Sequence, residues 1–250
     1  MTVHFIGAGP GAADLITLRA RDLIAAAPVC LYAGSLVPVE VLAHAPAGAR
    51  LVDTAELTLD QIIEELRQAD AAGLDVARLC SGDPSLFSAV AEQLRRLDAL
   101  GIDYDICPGV PAFAAAAATL KHELTVPLVS QSIILTRTSE RATAMPDAET
   151  LATLGASRAT MVLHLAVQRI DAVVAELTPV YGAQTPVAVV AYAARPDEVI
   201  LRGTLATIAE QVKQAGLRRT AVIIVGEALA ATNFCDSHLY SAERDRAVTS

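Results

Sequence analysis

The stretch that decides the fold is VHFIGAGPGA, residues 3–12, in which an apolar run enters a turn that contains Gly7, Gly9 and Gly11. A short buried strand that ends in such a turn is typical of the first unit of an α/β domain. Gly7, Gly9 and Ala12 also satisfy G-x-G-x-x-G/A, the dinucleotide-binding pattern. Whether the chain binds a dinucleotide depends on the residues beyond this turn.

The residues after the turn argue against a dinucleotide. The pattern requires a helix that begins inside the turn and an acidic residue about 20 positions later, which binds the ribose. Here Pro10 interrupts the turn, the helix is predicted to begin near Thr17, and the second strand ends in Tyr32 and Ala33 where the acid should stand. We interpret the turn as a ligand loop at the carboxyl end of a strand, whose missing side chains leave room for the ligand. An NAD-dependent oxidoreductase and a non-catalytic nucleotide-binding protein remain as alternatives.

Strand and helix patterns alternate through the first half of the chain, which predicts an α/β domain with a mostly parallel sheet. A capping box at Thr58 and Gln61 opens one helix. A stripe of Leu86, Val90, Leu94 and Leu97 indicates another. The predicted strands are 3–6, 29–32, 50–53, 75–80 and 104–107.

The second half predicts a mixed sheet, because the strands on either side of 194–197 are too close for a crossover helix and should pair as a hairpin. Its predicted strands are 132–136, 160–166, 186–193, 198–203 and 221–226, with helices near 147–155, 167–177 and 205–215. The predicted organisation is an N-terminal α/β domain (1–120), a linker (121–129), a C-terminal α/β domain (130–230) and a tail (231–250).

Composition excludes several partners. A net charge of −9 argues against nucleic acid and anionic membranes, since both need a basic face. The four cysteines form no CxxC and the five histidines no HExxH, so we predict no metal and a reducing, cytoplasmic compartment. We also expect no signal peptide and no membrane span.

Two further Gly/Pro corners, SGDPSLF (81–87) and CPGVPAF (107–113), come directly after predicted strands. In a structural interpretation, Asp83 caps a helix whose first position is Pro84. In a functional one, the corners share one sheet edge with the opening turn, where open α/β sheets bind ligands. Three such corners suggest a single ligand along that edge.

The opening stretch (3–20), the two corners and the hairpin PVAVVAYAARPDEVILRGTL (186–205) together resemble the tetrapyrrole methylase family, the S-adenosylmethionine-dependent enzymes of corrin and sirohaem synthesis. The resemblance implies two αβα domains with the cofactor in a cleft between them, and a homodimer. It also implies that S-adenosylmethionine leaves as S-adenosylhomocysteine. The positions that match the family's cofactor contacts are Pro10, Ser81, Gly82, Asp83, Leu86, Pro111, Ala112, Leu165 and Ala193.

The segments YAGSLV (32–37), 123–146 and 161–167 resemble the branch that methylates carbon 11 of the macrocycle. Methylation at C17 or C20, of uroporphyrinogen, or of a cobalt-containing substrate remains as an alternative. The implied substrate is a polycarboxylate, for which Tyr32, Ser35, Arg137 and Arg141 are the candidate contacts. We expect catalysis by proximity and orientation, without a protein nucleophile; the catalytic residue is unknown, with Asp83, Tyr32 and Ser35 as candidates.

Overall fold

The computed structural model describes residues 1–139 and 143–240; Arg141 lies outside this range. Contacts divide the chain into two compact units. The first comprises Met1–Ala115 and Ala193–Pro196, and the second comprises Ala116–Tyr192 and Asp197–Ser250. The linker at 121–129 and the cleft expected between two domains stay predictions.

The first unit is built on a five-stranded sheet that is parallel throughout, where the sequence predicts a mostly parallel sheet, and its strand order is β3-β2-β4-β1-β5. Because every strand runs the same way, the loops after the strands leave at one edge. The elements are β1 (Thr2–Gly7), α1 (Leu18–Ala26), β2 (Val29–Tyr32), α2 (Val39–Leu42), β3 (Arg50–Asp53), α3 (Leu59–Ala71), β4 (Val76–Cys80), α4 (Ala91–Leu100), β5 (Asp103–Cys107) and α5 (Ala112–Leu120), the last of which ends in the second unit.

Two helix starts agree with the sequence prediction. The Thr17 hydroxyl accepts from the backbone N–H of Ala20 and caps α1. At α3, the Thr58 N–H donates to the Gln61 side chain at 2.8 Å, and the Gln61 N–H donates to the Thr58 hydroxyl at 3.3 Å. Both bonds of the capping box are therefore present.

The prediction for α4 is wrong at its start. The helix begins at Ala91, so Leu86 and Val90 of the predicted stripe lie before it. The backbone turns left-handed at Phe87 and Ala89, with φ of 54° and 51°, and a helix cannot run through such residues. The apolar spacing at 86–97 is therefore shared between a loop and a helix.

The second unit contains the predicted mixed sheet, of order β6-β7-β10-β8-β9. Only β6 and β7 pair in parallel, and β8 and β9 form the predicted hairpin, in which Pro186 faces Thr204. Its elements are β6 (Ile133–Arg137), α6 (Leu151–Gly155), β7 (Thr160–His164), α7 (Ile170–Tyr181), β8 (Pro186–Ala191), β9 (Val199–Thr204), α8 (Ile208–Gln214) and β10 (Ala221–Val225).

Apolar packing covers both faces of the first sheet. On one face Phe5 and Leu31 pack with Leu66 of α3 and Leu97 of α4, and on the other Ile6 and its neighbours pack with α1 and α2. Single 3-10 turns lie at Ala13–Leu15, Gly34–Leu36, Asp147–Glu149, Val167–Arg169, Glu227–Ala230 and His238–Tyr240. Among the described residues, no helix has the length and apolar character needed to cross a bilayer.

Candidate active site

The loops after β1 and β4 are joined to each other at the carboxyl edge of the first sheet. The Gly82 N–H donates to the Gly9 carbonyl at 2.8 Å, and the Gly9 N–H donates back to the Gly82 carbonyl at 3.3 Å. This isolated bridge is antiparallel, whereas β1 and β4 pair in parallel, so it joins the two loops beyond the end of the sheet pairing. The predicted first and second corners therefore form one backbone framework.

The loop after β5 packs on the same framework through glycine. A Cβ on Gly109 would lie 2.2 Å from the Gly82 carbonyl oxygen, and a Cβ on Gly7 would lie 2.5 Å from Gly109 Cα. Real Cβ atoms do not approach backbone so closely, so these positions admit only glycine.

The remaining glycines of the opening turn are also packed against protein. A Cβ on Gly9 would lie 3.0 Å from the Leu15 carbonyl oxygen, and one on Gly11 would lie 2.8 Å from that of Ala193. The interpretation that the missing side chains of this turn leave room for a ligand is therefore wrong, because protein fills that room. The glycines let the loops pack closely against their neighbours.

Asp83 fastens the framework together. Its Oδ2 accepts from the Gly109 N–H at 2.8 Å, and its Oδ1 accepts from the Ser85 N–H at 2.9 Å and from the Ser85 hydroxyl. The next helix of the described chain, α4, begins only at Ala91. The interpretation of Asp83 as a helix cap with Pro84 at the first helical position is therefore wrong. The carboxylate instead forms a local turn and a bridge to the loop after β5.

These contacts keep the Asp83 carboxylate ionised. Burial raises the pKa of Asp83, but its hydrogen bonds from Ser85 and Gly109 favour the charged form and together bring the pKa below its ordinary value. A negative charge therefore stands at this sheet edge at neutral pH.

Backbone strain marks the turn between β8 and β9. Tyr192 and Ala194 adopt left-handed φ values of 54° and 60° on either side of the buried Ala193. Non-glycine residues adopt this conformation at a cost, and such residues cluster at functional sites. The turn packs on the opening loop, since a Cβ on Gly11 would lie 2.5 Å from Arg195 Cγ.

Leu165, the predicted contact from the second unit, is strained and exposed. It lies directly after β7, has a φ of 52°, and leaves 64% of its surface accessible. Its carbonyl accepts from the buried Thr138 hydroxyl at 3.2 Å, which holds the residue in place. The Leu165 side chain therefore does not pack in the core of the second unit.

The candidate substrate residues lie on two separate units. Tyr32 is half-buried at the end of β2, and its carbonyl accepts from the Thr54 N–H at 2.8 Å. The backbone of Ser35 lies in the Gly34–Leu36 turn; its side chain lies outside the part of the chain that the structure describes. Arg137 ends β6, and its Nη2 donates to the Thr143 carbonyl at 2.8 Å, so part of its guanidinium binds its own loop.

Some residues that shape the site carried little sequence signal. Asp53 accepts from the N–H groups of Gly34 and Ala55, both at 2.9 Å, and so holds the YAGSLV turn. An aspartate at the end of a strand was the available clue. The sequence could not predict the strained backbone at Leu165 and Ala194, because nothing in it marks a non-glycine residue that will adopt a positive φ.

Within the first unit, Gly82 lies against the third corner, since its Cβ would be 3.6 Å from Pro111 Cα and 3.7 Å from the Ala112 nitrogen. The structure thus gathers most of the predicted cofactor residues on one unit: Pro10, Ser81, Gly82, Asp83, Leu86, Pro111, Ala112 and Ala193. Leu165 and Arg137 belong to the second unit.

Interlocked loops at the carboxyl edge of a parallel sheet, with an ionised carboxylate among them, are typical of α/β proteins that bind a small ligand at their strand ends. A family model described as Tetrapyrrole (Corrin/Porphyrin) Methylases matches residues 2–209. The chain belongs to this family of S-adenosylmethionine-dependent C-methyltransferases.

Three relatives are similar over nearly their full length. A Rhodococcus erythropolis protein named precorrin-4 C(11)-methyltransferase is 66% identical over 246 residues, 98% of this chain and 99% of that protein. The X-ray structure of a cobalt precorrin-4 methyltransferase has a TM-score of 0.88 at 37% identity, with 91% of this chain and 95% of that one covered. Uroporphyrin-III C-methyltransferase from Thermus thermophilus, complexed with S-adenosylhomocysteine, has a TM-score of 0.76 at 28% identity, with 92% and 99% covered.

The donor set at the sheet edge fits S-adenosylmethionine. The amino-acid end of the cofactor carries an ammonium and a carboxylate. The ionised Asp83 suits the ammonium, and the N–H groups at the start of α5, which begins at Ala112, suit a carboxylate. Both lie at the same edge of the first sheet.

Proposed function

We propose that the chain transfers the methyl group of S-adenosylmethionine to C11 of precorrin-4, giving precorrin-5. The observation that carries this proposal is the 66% identity to the Rhodococcus enzyme across almost the whole of both chains. The cobalt-precorrin-4 relative of known structure is 37% identical, which favours the metal-free substrate over the cobalt complex.

The proposed mechanism relies on position more than on a reactive side chain. S-adenosylmethionine supplies an electrophilic methyl group on a sulfonium, and the ring carbon of the tetrapyrrole supplies the electron pair. The chain has to hold the two in line at roughly 3–3.5 Å and keep water away. The hydrogen bonds that Asp83 accepts from Gly109 and Ser85 would hold the loops in place for that task. Asp83 remains a candidate for holding the ammonium.

The cofactor contacts that we propose combine this carboxylate with apolar walls. Leu86 and Pro111 are half-buried, and Pro10, which lies in the loop after β1, is buried. The strained Leu165 and the buried Ala193 would hold the adenosine end. The full proposed set is Pro10, Ser81, Gly82, Asp83, Leu86, Pro111, Ala112, Leu165 and Ala193.

For the tetrapyrrole we propose contacts from the YAGSLV turn and from the loop after β6. Tyr32 and Ser35 would border the macrocycle, and Arg137 and Arg141 would bind its carboxylates. Two contacts of Arg137 are made to backbone carbonyls, which leave further N–H donors of its guanidinium for a substrate.

We further propose a cytoplasmic homodimer. The cysteines are free thiols, as expected in a reducing compartment. Leu128 and Val39, 88% and 71% exposed, offer apolar surface to a second copy. Light scattering at micromolar protein should report twice the mass of the chain, and a monomer contradicts this proposal.

The decisive experiment incubates the protein with precorrin-4 and S-adenosylmethionine whose methyl carbon is labelled. Nuclear magnetic resonance of the product locates the label. Label on C11 supports the proposal, whereas label on C17 or C20 overturns the position but leaves the methyltransferase class intact. A parallel reaction with cobalt-precorrin-4 compares kcat/KM for the two substrates, and a preference for the cobalt complex overturns the choice of substrate.

A further inference from the structure

Arg78 is a charged residue in the middle of an apolar sheet. It lies on β4, in register with Phe5 on β1 and with Leu31 on β2, both of which are fully buried. Only 7% of the Arg78 surface is accessible. Burying a charge is costly unless an opposite charge or strong hydrogen bonds offset the loss of water.

The groups that contact the Arg78 guanidinium are all neutral. Its Nε donates to Gln93 Oε1 at 3.1 Å, and its Nη1 donates to the Thr54 hydroxyl at 3.2 Å and to the Leu79 carbonyl at 3.5 Å. No ion pair to Arg78 exists among residues 1–139 and 143–240. An arginine keeps its proton in proteins, so its charge has no counter-charge here.

Two cysteines near Arg78 do not supply the missing charge. Burial raises the pKa of both Cys30 and Cys80 to about 11, although the cation of Arg78 pulls each pKa downward. Both thiols are therefore protonated at neutral pH. The carboxylate of Asp83, a few residues further on, is engaged with Gly109 and Ser85.

One nitrogen of the guanidinium remains available. Nη2 has no hydrogen-bond partner in the described part of the chain, and it is not fully enclosed by protein atoms. It therefore keeps a path to the surface. A buried cation with one open donor is poised to accept an anion from outside.

The first turn of α4 contacts the same guanidinium through Gln93. Gln93, which accepts from Arg78, is the third residue of α4, and its Nε2 donates back to the Ala89 carbonyl at 2.8 Å. No side chain caps this helix at Val90, so its N-terminal N–H groups and its dipole also favour an anion. The half-buried Glu92 lies in the same turn and forms no ion pair with Arg78.

The same residues connect to both loops of the candidate site. The Thr54 hydroxyl that accepts from Arg78 donates to the Tyr32 carbonyl at 3.0 Å, at the start of the YAGSLV turn. On the other side, Ala89 belongs to the strained loop after β4, with a φ of 51°. The cation thus stands between two loops that carry candidate site residues.

We propose that Arg78 and the first turn of α4 form a subsite for one carboxylate of the tetrapyrrole substrate, bound through Arg78 Nη2. The subsite rests on the proposed function, because it takes a polycarboxylate as the ligand. The bound carboxylate supplies the counter-charge that Arg78 lacks within the protein. Its fixed position also limits how the macrocycle can rotate in the site.

The test compares charged and uncharged forms of one ligand. The intact protein is titrated, with S-adenosylhomocysteine present, with the octacarboxylate uroporphyrin and with its neutral octa-amide. Arg78→Met should raise the Kd for the octacarboxylate at least about tenfold and the Kd for the octa-amide less than about twofold, because only a carboxylate loses a charge-assisted bond. Arg78→Lys should fall between wild type and Arg78→Met.

The matched control is Arg67→Met, which removes one positive charge from the exposed face of α3. Should the control weaken octacarboxylate binding as much as Arg78→Met, or should both ligands lose equally, the subsite is overturned. If Arg78→Met does not fold, the double variant Arg78→Met/Gln93→Leu removes the buried acceptor along with its donor and is titrated in its place.

The subsite and the proposed function can fail separately. A wild-type enzyme that methylates C11 while Arg78→Met binds the octacarboxylate normally overturns the subsite alone. A wild-type enzyme that methylates another carbon, with octacarboxylate binding still dependent on Arg78, overturns the position of methylation alone.

Discussion

The Asp83 carboxylate accepts a 2.8 Å hydrogen bond from the Gly109 N–H and so ties the loop after β4 to the loop after β5. The two residues follow the strands on either side of β1, and Gly7 at the end of β1 lies against both loops. A contact of this kind can both stabilise the fold and hold a ligand site in shape. Substitutions at the sheet edge, measured for stability and for affinity, separate these two roles.

Replacing Asp83 by alanine should lower both stability and cofactor affinity. The change leaves the Gly109 and Ser85 N–H groups without their acceptor, which we expect to cost about 1–2 kcal/mol for a partly exposed site. The Kd for S-adenosylmethionine, measured by calorimetry on the folded variant, should rise about tenfold or more if the carboxylate also binds the cofactor. Thr58→Ala, which removes a helix cap worth about 1 kcal/mol, is the control. A lower stability with unchanged affinity in both variants shows that Asp83 is structural.

The stability that Asp83 contributes should depend on pH in one direction. Its folded-state pKa is lowered, so the contribution is complete above the unfolded-state pKa of about 3.9. It is lost as the pH falls below that value and through the folded-state pKa. Urea unfolding of wild type and Asp83→Asn at pH 7 and in steps below pH 4 should show the stability difference shrinking with acid. A difference that grows with acid contradicts the sign of this pKa shift.

Replacing Gly109 by alanine should be severely destabilising. The new Cβ would stand 2.2 Å from the Gly82 carbonyl and 2.7 Å from Gly7 Cα, and neither backbone atom can move without breaking the framework. We expect a loss of about 3 kcal/mol or more in the free energy of unfolding. Gly73→Ala, where nothing lies within 4 Å and only the φ of 67° opposes the change, should lose about 1 kcal/mol. If denaturant titrations show that Gly109→Ala and Gly73→Ala lose equal free energy of unfolding, the close packing of the three loops is contradicted.

Replacing Leu165 by glycine should separate strain from binding. Glycine adopts the φ of 52° freely, and the leucine side chain is mostly exposed, so stability should stay the same or rise by up to about 1 kcal/mol. The affinity for S-adenosylmethionine should nevertheless fall. The exposed Leu128, which also has a positive φ of 60°, provides the matched control Leu128→Gly. If both variants bind the cofactor like wild type, Leu165 has no part in the site.

Replacing Arg137 by alanine should raise the KM for the tetrapyrrole several-fold and leave the cofactor Kd almost unchanged, because a carboxylate contact would be lost. Steady-state kinetics and cofactor calorimetry on the same preparation measure the two effects. Arg202→Ala, which removes an arginine bound to the Leu120 carbonyl at 3.0 Å, controls for a lost backbone anchor. If the variant loses cofactor binding and its KM for the tetrapyrrole is unchanged, Arg137 contacts the cofactor and the proposed substrate contact is wrong.

The sequence by itself determined the elements whose signals are local. The capping box at Thr58 and Gln61 and the short gap between β8 and β9 predicted a helix and a hairpin correctly. Periodicity and capping depend on residues within a few positions of each other, so they can be read without the fold. The motifs likewise identified the family, because their order along the chain is itself sequence information.

The tertiary structure alone decided what depends on distant residues. Gly7 and Gly109 are needed because two backbones meet, and the loop between Asp83 and Val90 replaced a predicted helix because its hydrogen bonds go elsewhere. Arg78 was visible as a charge inside an apolar strand, but only the fold showed that its partners are neutral and that α4 starts beside it. The physical reason is that burial and charge compensation are properties of the space around a residue, and residues far apart in the chain fill that space.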